Sequence, residues 1–345
     1  MGMAVYNGAR TLAASIRSVL DESFGDFELL LVDDGSTDES LAMIATFDDP
    51  RIIVLRNDGN QGLVATRNRI VSEARGEYVA WLDQDDLSEP RRMATQVAYL
   101  DAHPQAAICG GQTAMLVEQP DGTYSRVRER FPTAPAAIRA AMLFMNPIAC
   151  NTVMMRRSMF AREPFRAAFG NSLDYDLWSR ASDDLTVTNL PVVLGSYRVH
   201  SGQTSQGSAL ARMNRHALDV QSELAERALG MQWTAHDQDT HALATTFPVI
   251  IDDEARLPEI ADWLQVLRHA NSTAVDRGLP GFSFVDFDIA LARQWTTVCL
   301  GARAALGARS ATRWTIRGMH RIGLPMRAGV ASTRAGIVRR LNRRG

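Results

Sequence analysis

The stretch FELLLVDDGSTDES, residues 27–40, decides the fold class of this 345-residue chain. Its apolar half, residues 27–32, is nearly continuous, which is typical of a strand that is buried on both faces of a sheet. Asp33 and Asp34 then lead into a Gly-Ser-Thr turn that opens a helix. Helix capping accounts for the residues from Ser36 to Glu39 but not for two carboxylates at a strand end, so the stretch also indicates a ligand site.

Outward from this stretch, helical and strand patterns alternate. Leu12, Ile16 and Val19 recur at helical spacing before it, and after it come a helix near 41–47, the strand RIIVLR (51–56), a helix within 63–74 and the strand YVAWL (78–82). Strands separated by single helices pair in parallel through right-handed crossovers. We therefore predict an α/β fold, with a mostly parallel sheet, helices on both faces and ligands at the carboxyl ends of the strands.

The remaining chain changes character at about residue 206. Before that point the pattern predicts strands within 106–111 and 192–199, a hairpin at 119–125 and helices near 136–144 and 173–181. After it the pattern is mainly helical, at 209–229, 257–270 and 287–306. We predict three parts, namely an α/β domain at 1–206, a helical extension at 207–288 and a basic helical tail at 289–345.

Composition excludes several classes of protein. With 46% hydrophobic and 22% charged residues, the chain is neither disordered nor fibrous. Its three cysteines have no paired spacing, which indicates neither a disulfide framework nor a cysteine zinc site and favours a reducing cytoplasm. Because the sequence contains neither an apolar run of about 18 residues nor a signal segment, we expect a protein that is neither integral to the membrane nor exported by that route.

The net charge of −2 hides an uneven distribution. All 37 basic residues are arginines, and twelve of them but no Asp or Glu follow Asp288. In this tail, Arg313, Arg317 and Arg321 recur beside Trp314 and Ile316, a pattern that suits an anionic membrane surface. We expect the preceding apolar stripe, Trp295 to Leu306, to pack on the α/β domain, and we expect no nucleic-acid binding because no motif for it is present.

Two further acidic motifs carry candidate chemistry. WLDQDD places Asp83, Asp85 and Asp86 after an apolar strand, and oxygen ligands at such spacing suit Mg²⁺. LDYDLWSR places Asp174 and Asp176 on a predicted helix, where residues two apart do not share a face, so one of them is available as a general base. A fourth motif, YRVHSGQTS, contains His200, for which spacing alone favours a structural role.

Seven segments together resemble the family 2 glycosyltransferases, which have the GT-A fold. They are AVYNGARTLAASIRSVL (4–20), FELLLVDDGSTDES (27–40), NQGLVATRN (60–68), GEYVAWLDQDD (76–86), NPIACNTVMMRR (146–157), LDYDLWSR (173–180) and YRVH (197–200). The similarity covers about residues 3–205 and identifies 1–206 as a catalytic domain. It implies inverting, metal-dependent transfer of a sugar from a nucleotide-activated donor to an acceptor hydroxyl.

The resemblance also implies roles for individual residues. By position, Ala4, Tyr6 and Asp34 border the nucleoside base, and Arg67 supports that pocket or the diphosphate. Asp83 and Gln84 lie near the ribose and phosphates. Asp85 is the main ligand of Mg²⁺ or Mn²⁺, Asp174 is the catalytic base, and His200 approaches the metal or diphosphate.

The sequence departs from the family pattern at three points. Leu173 replaces an acid that commonly precedes the base, Cys150 stands where histidine is frequent, and the chain starts about five residues inside the first strand. The preferred function is synthesis of a bacterial surface or exopolysaccharide glycan on a lipid-linked acceptor, at the inner membrane face. Two alternatives stay open, a binding or scaffold subunit without turnover and a nucleotidyltransferase, although YNGARTL (6–12) is a poor phosphate loop for the latter.

Overall fold

The computed structural model describes residues 1–119, 121, 123–161, 164–199 and 207–324. They form two compact units, one of residues 1–135 with 148–209 and the other of residues 136–147 with the chain from residue 210. The elements of the first unit are β1 (Gly2–Val5), α1 (Ala9–Leu20), β2 (Leu29–Asp33), α2 (Ser40–Ile44), β3 (Ile52–Arg56), α3 (Leu63–Glu73), β4 (Tyr78–Ala80), β5 (Leu87–Ser88), α4 (Arg92–Ala102), β6 (Ala106–Glu118), β7 (Tyr124–Arg128), β8 (Met154–Arg156), α6 (Leu173–Asp184) and β9 (Thr186–Val199). The second unit contains most of α5 (Pro135–Ala141), then α7 (Gly207–Leu229), α8 (Ala235–Thr245), α9 (Arg256–Asp276) and α10 (Phe284–Ile322).

The first unit contains the predicted α/β core. Strands β1, β2 and β3 pair in parallel in that order, and a single parallel bridge joins Gly2 to Trp81 after β4. All five residues of β2 are buried, which confirms that the apolar run is covered on both faces. Leu12, Ile16 and Val19 of α1 are fully buried in the same core.

A second, mixed sheet completes this unit. Its order is β4-β8-β6-β9-β5, with β7 paired to β6 as the predicted hairpin. The pairing of β6 with β9 is parallel and the other pairings of this sheet are antiparallel. Candidate site residues follow β1 and β2, which pair in parallel, and β4, after which the parallel bridge at Trp81 joins the chain to β1.

Gly35 is required by the turn after β2. It has a positive φ of 76°, and a Cβ there would overlap the backbone at Gly59 and Asn60. The glycine of the DDGSTD motif thus allows the loop after β3 to approach the carboxyl end of β2.

The second unit is helical, as the sequence predicts. Its last helix, α10, consists of two helical segments that pack against each other. Gly307 interrupts α10 with φ 78° and ψ 162°, directly after the predicted helix end at Leu306, and a second helical segment then continues to Ile322. Trp295 is fully buried, and its Nε1 donates to the carbonyls of Trp314 and Thr315 (3.2 Å each). Trp295 therefore packs on the returning half of its own helix, and the expected packing of the apolar stripe on the α/β domain stays a prediction.

The predicted division of the chain into three parts stays a prediction. Helix α10 runs continuously across the proposed boundary at residue 289. The sequence analysis also missed α8, whose start is marked by a capping box between Thr234 and Asp237. Within the described residues, none of the helices is long and apolar enough to cross a membrane.

Candidate active site

Asp34 anchors the loop that follows β3. Its carboxylate accepts hydrogen bonds from Asn57 Nδ2 (2.6 Å) and from the backbone N–H groups of Gln61 and Gly62 (2.9 Å each). Burial opposes ionisation of this carboxyl, but the hydrogen bonds outweigh burial and lower the pKa of Asp34. Asp34 is therefore an ionised, buried acceptor at the carboxyl end of β2.

Hydrogen bonds join the loop after β1 to the DDGSTD turn. The backbone N–H of Asn7 donates to Ser36 Oγ (3.0 Å), and Asn7 Oδ1 accepts from the Thr37 backbone (2.9 Å). The N–H of Gly8 donates to Ser40 Oγ (2.9 Å). These serines therefore connect two strand ends, a role beyond the helix capping that their sequence suggests.

Gln84 fastens the acidic loop after β4 to the end of β1. Its side-chain amide accepts from the Tyr6 backbone N–H (2.9 Å) and donates to the Tyr6 carbonyl (3.0 Å), while Ser15 Oγ donates to the Gln84 carbonyl (2.9 Å). The Tyr6 ring is exposed at this edge, and Ala4 is half-buried two residues earlier in β1. The structure thus brings Tyr6 and Gln84 together.

Arg67 and Asp83 form the central ion pair of the site. Arg67 is buried on α3, its Nη2 lies 2.8 Å from Asp83 Oδ1, and its guanidinium packs against the Trp81 ring, 5.5 Å from the centroid. Burial alone would lower the pKa of Arg67, but the interactions with Cys150, Asp83 and Asp174 raise it. Arg67 is therefore a fixed cation that links residues from three separate motifs.

Cys150 is a neutral thiol in this cluster. Burial, together with the carboxylates of Asp83 and Asp174, raises the pKa of the thiol, and Arg67 opposes that effect only in part. A thiol with a raised pKa is a poor nucleophile. The raised pKa therefore disfavours a nucleophilic role for Cys150, which contributes volume and a weak hydrogen bond with Arg67.

Asp86 is a buried carboxyl group close to two other acidic residues. It is completely buried, its Oδ1 accepts from the Arg198 backbone N–H (3.1 Å), and its Oδ2 has no hydrogen-bond partner. Burial, followed by repulsion from Asp83 and Asp85, raises the pKa of Asp86 well above the usual range. Sequence analysis gave this residue no individual role, and the neighbouring carboxylates were the available signal.

The acidic loop fits the divalent cation that the family resemblance implies. Three carboxylates lie within four residues, and Asp85 is half-buried between Gln84 and the buried Asp86. In the part of the chain that the structure describes, no three acidic, histidine or cysteine side chains converge as a complete ligand set. This arrangement suits Mg²⁺ or Mn²⁺ held by one or two carboxylates, with phosphate oxygens from a donor as further ligands.

The two acids of α6 have different environments. Asp176 is only 1% exposed and is held by Arg166, whose Nε donates at 3.1 Å, and by Arg180, whose Nη2 lies 3.0 Å away. Asp174 is partly exposed, and its charge acts on both Arg67 and Cys150. The structure thus places Asp174 with the ion pair of the site and Asp176 in a buried ion cluster.

The loop that carries His200 cannot be assigned in the same way. His200 lies outside the described residues, so its expected approach to the metal or diphosphate stays a prediction. The preceding strand is described to Val199, and its Arg198 backbone reaches Asp86.

Comparison with known proteins identifies the first half of the chain. Residues 2–163 match the family model described as "Glycosyl transferase family 2". EpsE of Bacillus subtilis is 38% identical over 184 residues, which cover 52% of this chain and 64% of EpsE, so the chain spans just under two thirds of that relative. WfaP of Escherichia coli, a UDP-Glc:alpha-D-GlcNAc-diphosphoundecaprenol beta-1,3-glucosyltransferase, is 29% identical over 204 residues, covering 59% of this chain and 78% of WfaP.

Solved structures support the same fold. The mannosyltransferase PcManGT from Pyrobaculum calidifontis, solved in complex with GDP-Man and Mn²⁺, aligns over 96% of this chain and 86% of its own, with 16% identity and a TM-score of 0.51. At this identity the likeness concerns the fold alone. Together with the parallel strand ends and the motifs that follow them, these matches show that the chain has the GT-A fold and that its residues 2–163 are similar to glycosyl transferase family 2.

Proposed function

We propose that this protein is an inverting glycosyltransferase that moves a sugar from a nucleoside-diphosphate donor to the hydroxyl of a glycan. The observation that carries the proposal is the position of Asp174, partly exposed beside the Arg67–Asp83 pair, while the alternative acid Asp176 is buried between two arginines. A carboxylate that accepts the proton of an attacking hydroxyl must be reachable by substrate. Asp174 meets this requirement and Asp176 does not.

The residues at the strand ends bind the donor and its cation in this proposal. Tyr6, Ala4 and Asp34 border the base, with Asp34 acting through the loop that it holds, and Asp83 and Gln84 lie near the ribose and phosphates. Arg67 supplies a fixed positive charge near the diphosphate. Asp85, with His200, would hold Mg²⁺ or Mn²⁺, which when bound supplies charge neutralisation at the departing diphosphate.

Asp174 performs the chemical step that this chain itself provides. As the acceptor oxygen forms its bond to the anomeric carbon, Asp174 takes the hydroxyl proton, and the bond to the nucleoside diphosphate breaks on the opposite face. This geometry inverts the anomeric centre. Proton removal by a positioned carboxylate contributes roughly 10²- to 10⁴-fold to the rate.

The acceptor is proposed to be a lipid-linked glycan in the synthesis of a bacterial surface or exopolysaccharide, made at the cytoplasmic face of the membrane. Support comes from WfaP, a glucosyltransferase that uses a diphosphoundecaprenol-linked sugar. The proposed donor is a UDP- or GDP-sugar, since WfaP uses UDP-Glc and PcManGT was solved with GDP-Man.

The first experiment needs no acceptor. Purified protein is incubated with a panel of UDP- and GDP-sugars and Mg²⁺ or Mn²⁺, and the release of free nucleoside diphosphate is measured. Metal-dependent release from one donor class is expected. Absence of release with every donor, together with intact diphosphate binding, would favour a scaffold subunit without turnover.

The role of Asp174 is then tested with the identified donor. Asp174→Asn should leave donor binding within a few-fold while transfer falls at least about a hundredfold. Asp184→Asn is the matched control, because Asp184 is an exposed acid at the other end of α6. Equal activity of the two variants would remove Asp174 from the mechanism.

A further inference from the structure

The returning half of α10 presents a basic face to solvent. Arg309, Arg313, Ile316, Arg317 and His320 are all exposed, and at 100° per residue they lie within an arc of about 100° on this helical segment. The opposite side of the segment is buried, and it comprises Ala311, Gly318, Met319 and Ile322. One face of this segment is therefore packed in the protein core, and the opposite face is basic and exposed.

An isoleucine lies in this basic arc. Ile316 is 63% exposed and lies at one edge of the arc, three residues after Arg313 and next to Arg317 in the sequence. The Arg317 guanidinium lies 6.0 Å from the Trp314 ring centroid, at the border of the arc. A large aliphatic side chain flanked by guanidinium groups is the combination that suits the interface of a bilayer with anionic headgroups.

The acidic groups that approach this segment lie beside the arc. Glu254 Oε1 accepts a hydrogen bond from Trp314 Nε1 (2.6 Å), and Asp262 pairs with Arg321, with Oδ2 2.6 Å from Nη2. Both Trp314 and Arg321 are rotated out of the arc by helical geometry. The pairing with Asp262 also removes Arg321 from the basic stripe that the sequence pattern predicts.

We propose that this face, Arg309, Arg313, Ile316, Arg317 and His320, docks the protein onto an anionic membrane surface. The charge argument extends along the sequence, because six arginines and no acidic residue follow Leu324. The arc contains no Phe, Tyr or Trp on which a nucleic-acid base could stack, but it does contain an exposed isoleucine, which favours lipid over RNA. Docking would hold the enzyme beside a lipid-linked acceptor, but it requires neither donor nor transfer and so stands apart from the proposed reaction.

The test uses the full-length protein and sedimentation with vesicles of phosphatidylcholine, with and without phosphatidylglycerol. The unmodified protein should bind only the vesicles that contain phosphatidylglycerol, and high salt should release it. Each arginine near such a surface contributes about fivefold to binding, so Arg313→Ser/Arg317→Ser should weaken it about 25-fold. Ile316→Ser should weaken binding with little change in its salt dependence.

Arg277→Ser/Arg303→Ser is the matched control, since both residues are exposed arginines of the same unit but lie outside the arc. This control should bind within about twofold of the unmodified protein, and donor hydrolysis by the Arg313/Arg317 variant should be unchanged. Failure of the unmodified protein to bind anionic vesicles, or equal losses in the two double variants, would overturn the proposal. Preferential binding to single-stranded RNA over the vesicles would overturn the assignment to lipid.

Discussion

Substitution of Asp176 by asparagine should destabilise the protein, whereas the same change at Asp174 should not. Asp176 is almost fully buried, and its carboxylate neutralises Arg166 and Arg180. The side chain of Arg180 is 15% exposed and that of Arg166 is 36% exposed. Removal of one partner from a buried ion pair costs about 3–5 kcal/mol. Because solvent reaches Arg166, we expect a loss of about 3 kcal/mol in the free energy of unfolding.

Asp174 differs from this residue in its exposure and in the arginine on which its charge acts, because Arg67 keeps its ion pair with Asp83 when Asp174 is replaced. Asp174 is partly exposed in the first turn of α6, where a negative charge gains about 0.3–1 kcal/mol from the helix dipole. Asp174→Asn should therefore change the unfolding free energy by less than about 1 kcal/mol. Its effect should appear in transfer activity instead.

Urea unfolding of the two variants, followed by tryptophan fluorescence, separates the roles. Trp178 lies fully buried on the same helix and reports on its packing. Asp184→Asn serves again as the control for loss of one negative charge from α6. The reasoning is refuted if Asp176→Asn unfolds at the same urea concentration as the unmodified protein, or if Asp174→Asn is the more destabilising change.

Three further predictions concern metal, pH and packing. Asp85→Ala should abolish the effect of Mg²⁺ or Mn²⁺ on nucleoside diphosphate binding in calorimetry, and equal affinity of the unmodified protein in EDTA would contradict the metal role. Burial lowers the pKa of His241 to about 3 from 6.5, so the unfolded state takes up the proton and stability falls by about 2 kcal/mol between pH 7.5 and pH 5. His241→Asn should remove that part of the pH dependence of urea unfolding, and an unchanged slope would argue against it. Gly318→Ala should cost about 1–3 kcal/mol, since a Cβ would overlap the Trp295 indole, whereas Ser310→Ala on the same segment should unfold like the unmodified protein.

The parallel core could be predicted because its signals are local. A strand that is buried on both faces shows a continuous apolar run, as β2 does, and carboxylates that directly follow such strands must meet at one edge of the sheet. Gly307 is similarly local, since its positive φ ends the first half of α10 directly after the predicted helix end. These features depend on a few neighbouring residues and are visible in the sequence.

The environments of the individual acids could not be predicted, because they depend on contacts distant in sequence. Asp174 and Asp176 are two positions apart, and the i, i+4 spacing pairs Asp176 with Arg180, but no local pattern shows that Arg166 also neutralises it. Asp86 belongs to an evidently acidic motif, yet its burial depends on the Arg198 backbone, 112 residues further along the chain. The same holds for Trp295, whose packing partner exists only because the chain reverses at Gly307.

The charge distribution of the site links donor binding to the cation. Arg67 is paired with Asp83, so the carboxylates of Asp85 and Asp86 in the same loop add negative charge that this ion pair does not neutralise. A diphosphate that approached this edge alone would add to that excess and be repelled. A divalent cation reverses the balance, since it is attracted by the carboxylates and in turn attracts the phosphates. Donor and cation should therefore bind with strong positive coupling, and either one alone should bind weakly.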